Sequence, residues 1–242
     1  MVLCRDKGAL TMKLKMRLLT GVILILFYAQ GALSQSASLP AGPSEKDSQL
    51  LLEDVLKNVE KRYASSSFST QFYQTLTLKS MDITDTASGK AFFKDPGMMR
   101  WEYEEPDRQI IVTNSDTLWI YRPEDNQVMT GKSPSFFSGG KGASFLTAMN
   151  MIRQKFAITF HKKNKAGHYV LKLVPLEKTL DVVAIYLSIL AKTFNIVQIT
   201  TYNSFGDETI IELTDIQFKP KLDDAMFRFQ IPKGVDVLQL GE

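Results

Sequence analysis

The feature that most constrains the fold is a change of hydrophobic period at Phe68. From there the chain consists of short runs in which apolar and polar residues alternate, enriched in β-branched and aromatic residues and separated by turn residues at 114–116 and 122–126. Alternation is typical of β-strands, because their successive side chains point to opposite faces. Short turns between consecutive runs predict hairpins in series. We therefore expect an antiparallel sheet of roughly a dozen strands, the last a short one from Phe227 to Ile231.

Two segments follow a helical pattern instead. In SQLLLEDVLKNVEKRY (48–63) the apolar residues recur at spacings of three and four, opposite charged residues, which predicts an amphipathic helix. The stretch SPSFFSGGKGASFLTAMN (133–150) interrupts the strand pattern, and we predict a Gly-rich loop leading into a short apolar helix around Ala143 to Ile152.

Several predicted strands are apolar on both faces. Ile185 and Leu187 share one face of their strand, while Ala184 and Tyr186 lie on the other. The predicted helices are too few to cover such a sheet, so we expect it to curl around an apolar interior. That interior is either a cavity or an ordinary packed core, and the periodicity leaves both open. Large side chains suited to line a cavity are Phe92, Met99, Trp101, Trp119, Tyr121, Phe136, Phe137, Phe145 and Met149.

The N-terminal part has the pattern of an export signal. An apolar run, 18–29, follows Lys13, Lys15 and Arg17 and precedes small residues, which predicts a signal peptide over 1–34. The run is short for a spanning helix, which needs about 20 residues. We expect a flexible leader over 35–46 and a single domain over 47–242.

The charge balance changes when the predicted signal peptide is set aside. That segment contains five basic residues and one acidic residue, so the 29 basic and 26 acidic residues of the chain become 24 and 25. The basic excess therefore belongs to the signal peptide, and we expect no nucleic-acid partner. The single cysteine, Cys4, lies before the apolar run, so neither a disulfide nor a lipidation cysteine is expected in the mature chain.

Residues that could support catalysis or metal binding are sparse. Of the two histidines, His161 lies among lysines and His168 follows a glycine, and no zinc-protease, nucleophile-elbow or phosphate-loop motif is present. We expect no enzyme, cofactor or metal site. An exported hydrolase remains the enzymatic alternative, because carboxylate pairs can meet in space without a sequence motif.

The segment 89–127 (GKAFFKDPGMMRWEYEEPDRQIIVTNSDTLWIYRPEDNQ) closely resembles the LolA family of periplasmic outer-membrane lipoprotein carriers. The residues that match the family pattern are Gly89, Pro96, Arg100, Trp101, Pro106, Leu118, Trp119, Tyr121, Pro123 and Gln127. The resemblance implies a mainly β (α+β) fold, an incompletely closed antiparallel β half-barrel with a short helical lid over an apolar cavity.

The resemblance also implies a function and partners. The expected protein is a soluble, monomeric periplasmic carrier of acylated lipoproteins, which an inner-membrane lipoprotein-releasing ABC transporter supplies and an outer-membrane lipoprotein receptor accepts. Family members carry an arginine immediately before the motif proline, where this chain has Asp95, so Arg100 is the candidate substitute as a gating residue in contact with the lid. An acyl-sensing regulatory protein of the same fold and the outer-membrane receptor itself are the alternatives.

Overall fold

A computed structural model describes residues 45–64, 67–133, 138–147, 149–178, 180–219 and 222–240. The predicted signal peptide, most of the predicted leader, and Phe136 and Phe137 lie outside the described residues. The helix predicted from the 48–63 pattern is present as α1 (Glu45–Tyr63), which begins inside the predicted leader.

Twelve strands form one sheet in the part of the chain that the structure describes. They are β1 (Ser67–Leu78), β2 (Ile83–Lys94), β3 (Met98–Glu105), β4 (Gln109–Asn114), β5 (Thr117–Arg122), β6 (Gln127–Lys132), β7 (Phe156–Lys163), β8 (Tyr169–Pro175), β9 (Ala184–Ile189), β10 (Ile196–Tyr202), β11 (Glu208–Lys219) and β12 (Asp236–Gln239). The strand order is β12-β6-β5-β4-β3-β2-β1-β11-β10-β9-β8-β7. Strands β12 and β7 form the two edges, so the sheet is open and the predicted half-barrel architecture is confirmed.

Short helical segments join the two halves of the sheet. They are the 3-10 helices η1 (Ser138–Thr147) and η2 (Met149–Met151) and the four-residue helix α2 (Ile152–Lys155), which leads directly into β7. A further 3-10 helix, η3 (Asp224–Phe227), precedes β12. The apolar helix expected around Ala143 to Ile152 is thus a series of short, mostly 3-10 turns.

Gly89 allows β2 and β3 to approach closely at an irregularity. The register between these strands shifts between Ser88 and Gly89, and a β-carbon at Gly89 would lie 1.9 Å from the carbonyl oxygen of Glu102. Any other side chain would push the strands apart. Such bulges increase local twist and bend a strand, which helps a long sheet to curl.

The strand predicted from Phe227 to Ile231 is wrong. Phe227 ends η3, and the last strand is β12, which pairs in parallel with β6. The side chain of Asp223 accepts a hydrogen bond from the N–H of Ala225 at 2.9 Å and caps a helical turn instead. The alternation that suggested a strand has another cause, because Phe227 is fully buried and Phe229 contacts Tyr121.

Candidate functional site

The sheet has one strongly apolar face, which we call the inner face, defined as the face that packs against α1. The register places Phe68, Phe93 and Met99 side by side on it, since Phe68 pairs with Phe93 and Phe93 with Met99. The rings of Phe68 and Phe93 stack with centroids 4.6 Å apart. These side chains belong to one continuous cluster of buried hydrophobic residues that extends to both halves of the sheet.

Aromatic rings fill the centre of the inner face. Phe72 meets Trp101 and Tyr103 edge to face at centroid distances of 4.8 and 4.9 Å, and Trp101 also meets Phe93 at 5.4 Å. Edge-to-face packing of this kind is the favoured geometry of aromatic pairs. The Tyr103 hydroxyl donates to Oε1 of Gln74 at 3.1 Å, and burial raises the pKa of Tyr103 to about 12. The tyrosine therefore stays neutral, and the centre of the face carries no charge from it.

Helix α1 lies on the inner face through one apolar stripe. The buried side chains of this stripe are Leu52, Val55, Leu56, Val59 and Tyr63. Tyr63 adds a buried polar contact, since its hydroxyl accepts a hydrogen bond from the N–H of Ile196 at 2.9 Å. The Tyr63 ring also packs against Phe68 and Phe218 at centroid distances of 5.3 and 5.4 Å.

The short helices complete the cover over the inner face. Phe145, Leu146, Met149 and Ile152 are buried and belong to the same hydrophobic cluster. Arg153 in α2 donates to Glu53 at 2.8 Å and to Glu60 at 2.6 Å, which links α2 to α1. These ion pairs are partly exposed, and such pairs contribute about 0–1 kcal/mol each. Apolar contacts therefore dominate the attachment of α1.

The turn between β2 and β3 also contacts the cover. The N–H of Gly97 donates to the carbonyl oxygen of Thr147, at the end of η1, at 3.2 Å. The neighbouring carbonyl of Pro96 accepts from the Ser115 hydroxyl at 2.6 Å, which joins the turn to the β4–β5 connection. Close to Asp95, the turn therefore contacts the cover through the backbone hydrogen bond from Gly97.

The predicted lining residues fall on two opposite sides of the sheet. Met99 and Trp101 lie on the inner face, and Phe145 and Met149 pack against it from the cover. Phe92 and Trp119 lie on the other side, which we call the outer face, because their strand neighbours there are Arg100 and Val112. Tyr121 shares the outer face. Four of the described residues are thus brought together, and three are not.

The C-terminal segment 222–235, which precedes β12, covers part of the outer face. Leu222 and Phe227 are buried, and Val112 beneath them is fully buried although it lies on the side away from α1. Lys94 donates to the carbonyl oxygen of Leu222 at 2.8 Å and pairs with Asp224. This cover explains why strands such as β4 and β5 are apolar on both faces. The sequence pattern did not predict that the C-terminal segment would cover the sheet.

Arg100 contacts this segment rather than the helices over the inner face. Its Nε donates to Glu102 at 2.6 Å, and its Nη1 donates to the carbonyl oxygen of Met226 at 3.3 Å. Arg100 therefore lies across the sheet from α1 and η1. Its expected contact with the lid is replaced in the structure by a contact with η3.

The inner face is lined by aliphatic and aromatic side chains. In the residues that the structure describes, no group of histidine, cysteine or acidic side chains is arranged to hold a metal ion. Among the same residues every buried side-chain nitrogen and oxygen has a hydrogen-bond partner. Phe72 and Tyr103 also belong to this face and were not among the predicted lining residues. Their positions four residues after Phe68 and two residues after Trp101 were the available signal, because even spacings share one face of a strand.

Comparisons with known proteins agree on one family. The family described as outer membrane lipoprotein carrier protein LolA matches residues 64–230. An outer-membrane lipoprotein carrier protein of Neisseria meningitidis serogroup B is 32% identical over 164 residues, which are 68% of this chain and 77% of that protein. A protein of the same description from Legionella pneumophila is 26% identical over 219 residues, 90% of this chain and 97% of that protein.

A solved structure shares the fold. An uncharacterized conserved protein from Thermus thermophilus matches with a TM-score of 0.51 at 12% sequence identity, over 78% of this chain and 98% of that chain. At this identity the similarity concerns the fold alone. Within the described residues, none of the helices has the length and apolar character needed to cross a membrane.

Proposed function

The chain belongs to the LolA family of outer membrane lipoprotein carrier proteins, and we propose that it carries lipoproteins by covering their acyl chains between the inner face and α1. The lining of this site would include Met99, Trp101, Phe145 and Met149, together with Phe72. The carrier would perform no chemical step, because its task is burial and release of hydrocarbon.

One observation supports this mechanism above the others: the inner face is closed by a helix and not by further strands. Helix α1 is attached mainly through buried side chains, to which side-chain hydrogen bonds of Tyr63 and Arg62 and the ion pairs of Arg153 are added. The strands, in contrast, hold one another through ladders of backbone hydrogen bonds. Moving α1 aside would therefore leave the sheet intact. What the inner face loses is mainly apolar contact, which an acyl chain can replace.

Helix α1 and an acyl chain would stabilise the inner face by comparable free energies of burial. Burying one large apolar side chain contributes about 1.5–3 kcal/mol, so the five buried side chains of the α1 stripe contribute about 8–15 kcal/mol. An acyl chain contributes about 0.8 kcal/mol per buried CH₂, or about 12 kcal/mol for about 15 such groups. Because the helix and the acyl chain stabilise the inner face similarly, loading and release would both be reversible.

The route of transport follows from the family. We propose that the protein works in the periplasm after removal of a signal peptide near residue 34. It would receive acylated lipoproteins from an inner-membrane lipoprotein-releasing ABC transporter and pass them to an outer-membrane receptor. The apolar run after Lys13, Lys15 and Arg17 supports the export step.

A reversible cross-link tests whether α1 must move. In a Cys4→Ser background, Glu53→Cys and Arg153→Cys would join α1 to α2 through a reducible bifunctional maleimide, since these side chains meet at 2.8 Å. We expect the cross-linked protein to release no lipoproteins from inner-membrane vesicles, and reduction to restore release. Undiminished release by the cross-linked protein would contradict the mechanism.

A matched pair elsewhere provides the control. Gln109→Cys and Arg122→Cys join β4 to β5 at a contact of 3.3 Å, far along the sheet from α1. This cross-link leaves the cover free, so release should continue. If wild-type protein releases no lipoproteins while a known carrier does so in parallel, the carrier function itself is wrong.

A further inference from the structure

A second apolar site lies away from the inner face, at the connection between β8 and β9. It is a groove of about 420 Å³, open to solvent on one side. Its lining residues are Val174, Pro175, Lys178, Leu180, Val182 and Val183. The volume falls within the range of small-molecule sites, about 300–1,000 Å³.

The groove continues into an exposed apolar patch. Leu180 is 70% exposed and Leu176 is 62% exposed. The N–H of Ser204 donates to the carbonyl oxygen of Leu180 at 3.0 Å, which places the loop bearing Phe205 beside the groove. Phe205 is itself 71% exposed. Contiguous exposed apolar surface of this kind marks a binding site.

We propose that this groove holds one acyl chain of the carried lipoprotein, with Lys178 facing the polar end of that chain. This inference rests on the proposed carrier function and adds a second hydrocarbon site to it. Val182 separates the two sites, because its side chain is 1% exposed and belongs to the hydrophobic cluster of the inner face, while Val183 faces outward.

The hydrogen bonding of the lining favours hydrocarbon over a peptide. The N–H of Val183 donates to the carbonyl oxygen of Tyr202 at 2.8 Å, and beside the lining the N–H of Leu176 donates to the carbonyl oxygen of Lys155 at 2.9 Å. Pro175 has no N–H to offer. A bound peptide must satisfy its own backbone groups, and these parts of the lining are already occupied within the protein. The hydrocarbon part of an acyl chain has no groups that need hydrogen-bond partners.

The charge of the loop favours a carried chain over a membrane surface. Lys178 lies between Glu177 and Asp181, so the loop has no excess of positive charge. Surfaces that dock on anionic bilayers usually carry a cluster of lysines and arginines. A single cation beside an apolar groove is suited instead to the carbonyl or anionic group at the head of one chain.

A site-specific probe tests the proposal. In a Cys4→Ser background, Leu180→Cys is labelled with a fluorophore, and Leu238→Cys, 48% exposed on β12, is the labelled control. Complexes are assembled with lipoprotein whose acyl chains carry a nitroxide quencher. We expect quenching at position 180 and none at 238. With Trp119→Phe added so that Trp101 is the one tryptophan, quenching of the Trp101 fluorescence without quenching at position 180 would overturn the groove proposal and leave the carrier function intact.

Substitutions in the groove provide an independent test of acyl-chain binding there. Leu180→Asp with Val183→Asp places carboxylates in an apolar groove and should weaken binding of palmitate at this site by about tenfold or more, so that each protein binds one chain fewer. Val237→Asp with Leu238→Asp makes the same change at side chains of similar exposure on β12 and should leave binding unchanged. Equal binding by both variants would overturn the proposal.

Two further measurements distinguish an acyl chain of the carried lipoprotein from the other possible occupants of the groove. Response of the position 180 label to phosphatidylethanolamine vesicles without lipoprotein would overturn the assignment to carried chains in favour of membrane docking. Response to protein concentration alone would indicate a second copy of the chain and would also overturn it. If palmitate binds the groove but wild-type protein releases no lipoprotein, the carrier function fails and the groove remains a fatty-acid site.

Discussion

At the scale of single residues, Gly89 determines how closely β2 and β3 approach. A methyl group at this position would collide with the backbone of Glu102, and a backbone carbonyl within a strand ladder cannot move away as a side chain does. Gly89 is also the first residue of the family motif found in the sequence. Its role is therefore steric, and it belongs to the construction of the sheet rather than to ligand contact.

We expect Gly89→Ala to lower the free energy of unfolding by about 3 kcal/mol or more, measured by urea denaturation. Gly131→Ala is the control, because its new β-carbon would meet the side chain of Leu240 at 3.0 Å, near the end of the chain, where a side chain can move. That variant should lose about 1 kcal/mol or less. Equal losses would contradict the steric explanation.

Tyr63 makes the stability of the protein sensitive to alkaline pH. Burial raises the pKa of Tyr63, while the hydrogen bond from Ile196 lowers it by a smaller amount. In the unfolded chain a tyrosine ionises near pH 10. Above about pH 10 the unfolded state therefore binds fewer protons than the folded state, and the free energy of unfolding falls as pH rises.

Urea denaturation at pH 8, 10 and 11 checks this expectation. The stability of wild-type protein should be constant below about pH 10 and should fall above it, with a smaller fall for Tyr63→Phe. At pH 8 the variant should already be less stable by about 1–3 kcal/mol, because the buried N–H of Ile196 loses its acceptor. An identical alkaline fall in both proteins would exclude Tyr63 as the cause.

At the scale of elements, the C-terminal segment 222–235 and α1 cover opposite sides of one sheet. Arg100 belongs to the first of these covers, through its contacts with Glu102 and Met226. The sequence comparison with the family could indicate only that an arginine lies near the motif proline. It could not indicate which side of the strand would face the lid, because that depends on the element that packs there.

We expect Arg100→Gln to loosen η3 without loosening α1. Hydrogen–deuterium exchange should increase for the amides of Met226 to Arg228, which lie at the contact, and should stay unchanged for α1 and η1. Lipoprotein release should also stay near the wild-type level. Increased exchange in η1, or loss of release, would instead support Arg100 as the gating residue.

At the scale of the whole molecule, the described residues form an open sheet whose apolar inner face is covered by α1 and the short helices. The proposed mechanism links ligand binding to the position of α1. If an acyl chain replaces α1, the loaded protein must be more resistant to global unfolding while α1 itself becomes less protected. Both effects follow from the same exchange of apolar contacts.

We expect saturation with lipoprotein to raise the melting temperature and to increase exchange in α1. At a free ligand concentration of 100 times Kd the gain is about 2.7 kcal/mol. For a domain of this size that corresponds to about 5–11 °C. Calorimetry and hydrogen–deuterium exchange on the free and loaded protein measure the two effects. A higher melting temperature with unchanged protection of α1 would show that the acyl chain binds at a site other than the one beneath α1.

The sequence by itself determined the types of the elements. Period-two alternation after Phe68, the stripe of α1 and the turns between strands are local properties, so the antiparallel sheet and its first helix could be predicted from them. The apolar character of both strand faces was also visible. The exception among the strands was Phe227 to Ile231, where alternation reflected packing on a sheet face and not membership of the sheet.

Only the tertiary structure decided what covers each face. Alternation divides side chains into two sets but does not state which set meets α1, so Met99 and Trp101 lie on the inner face while Phe92, Trp119 and Tyr121 lie on the outer face. That choice depends on contacts between residues far apart in the chain. The same contacts joined Arg100 to η3 and left the groove beside Leu180 open to solvent.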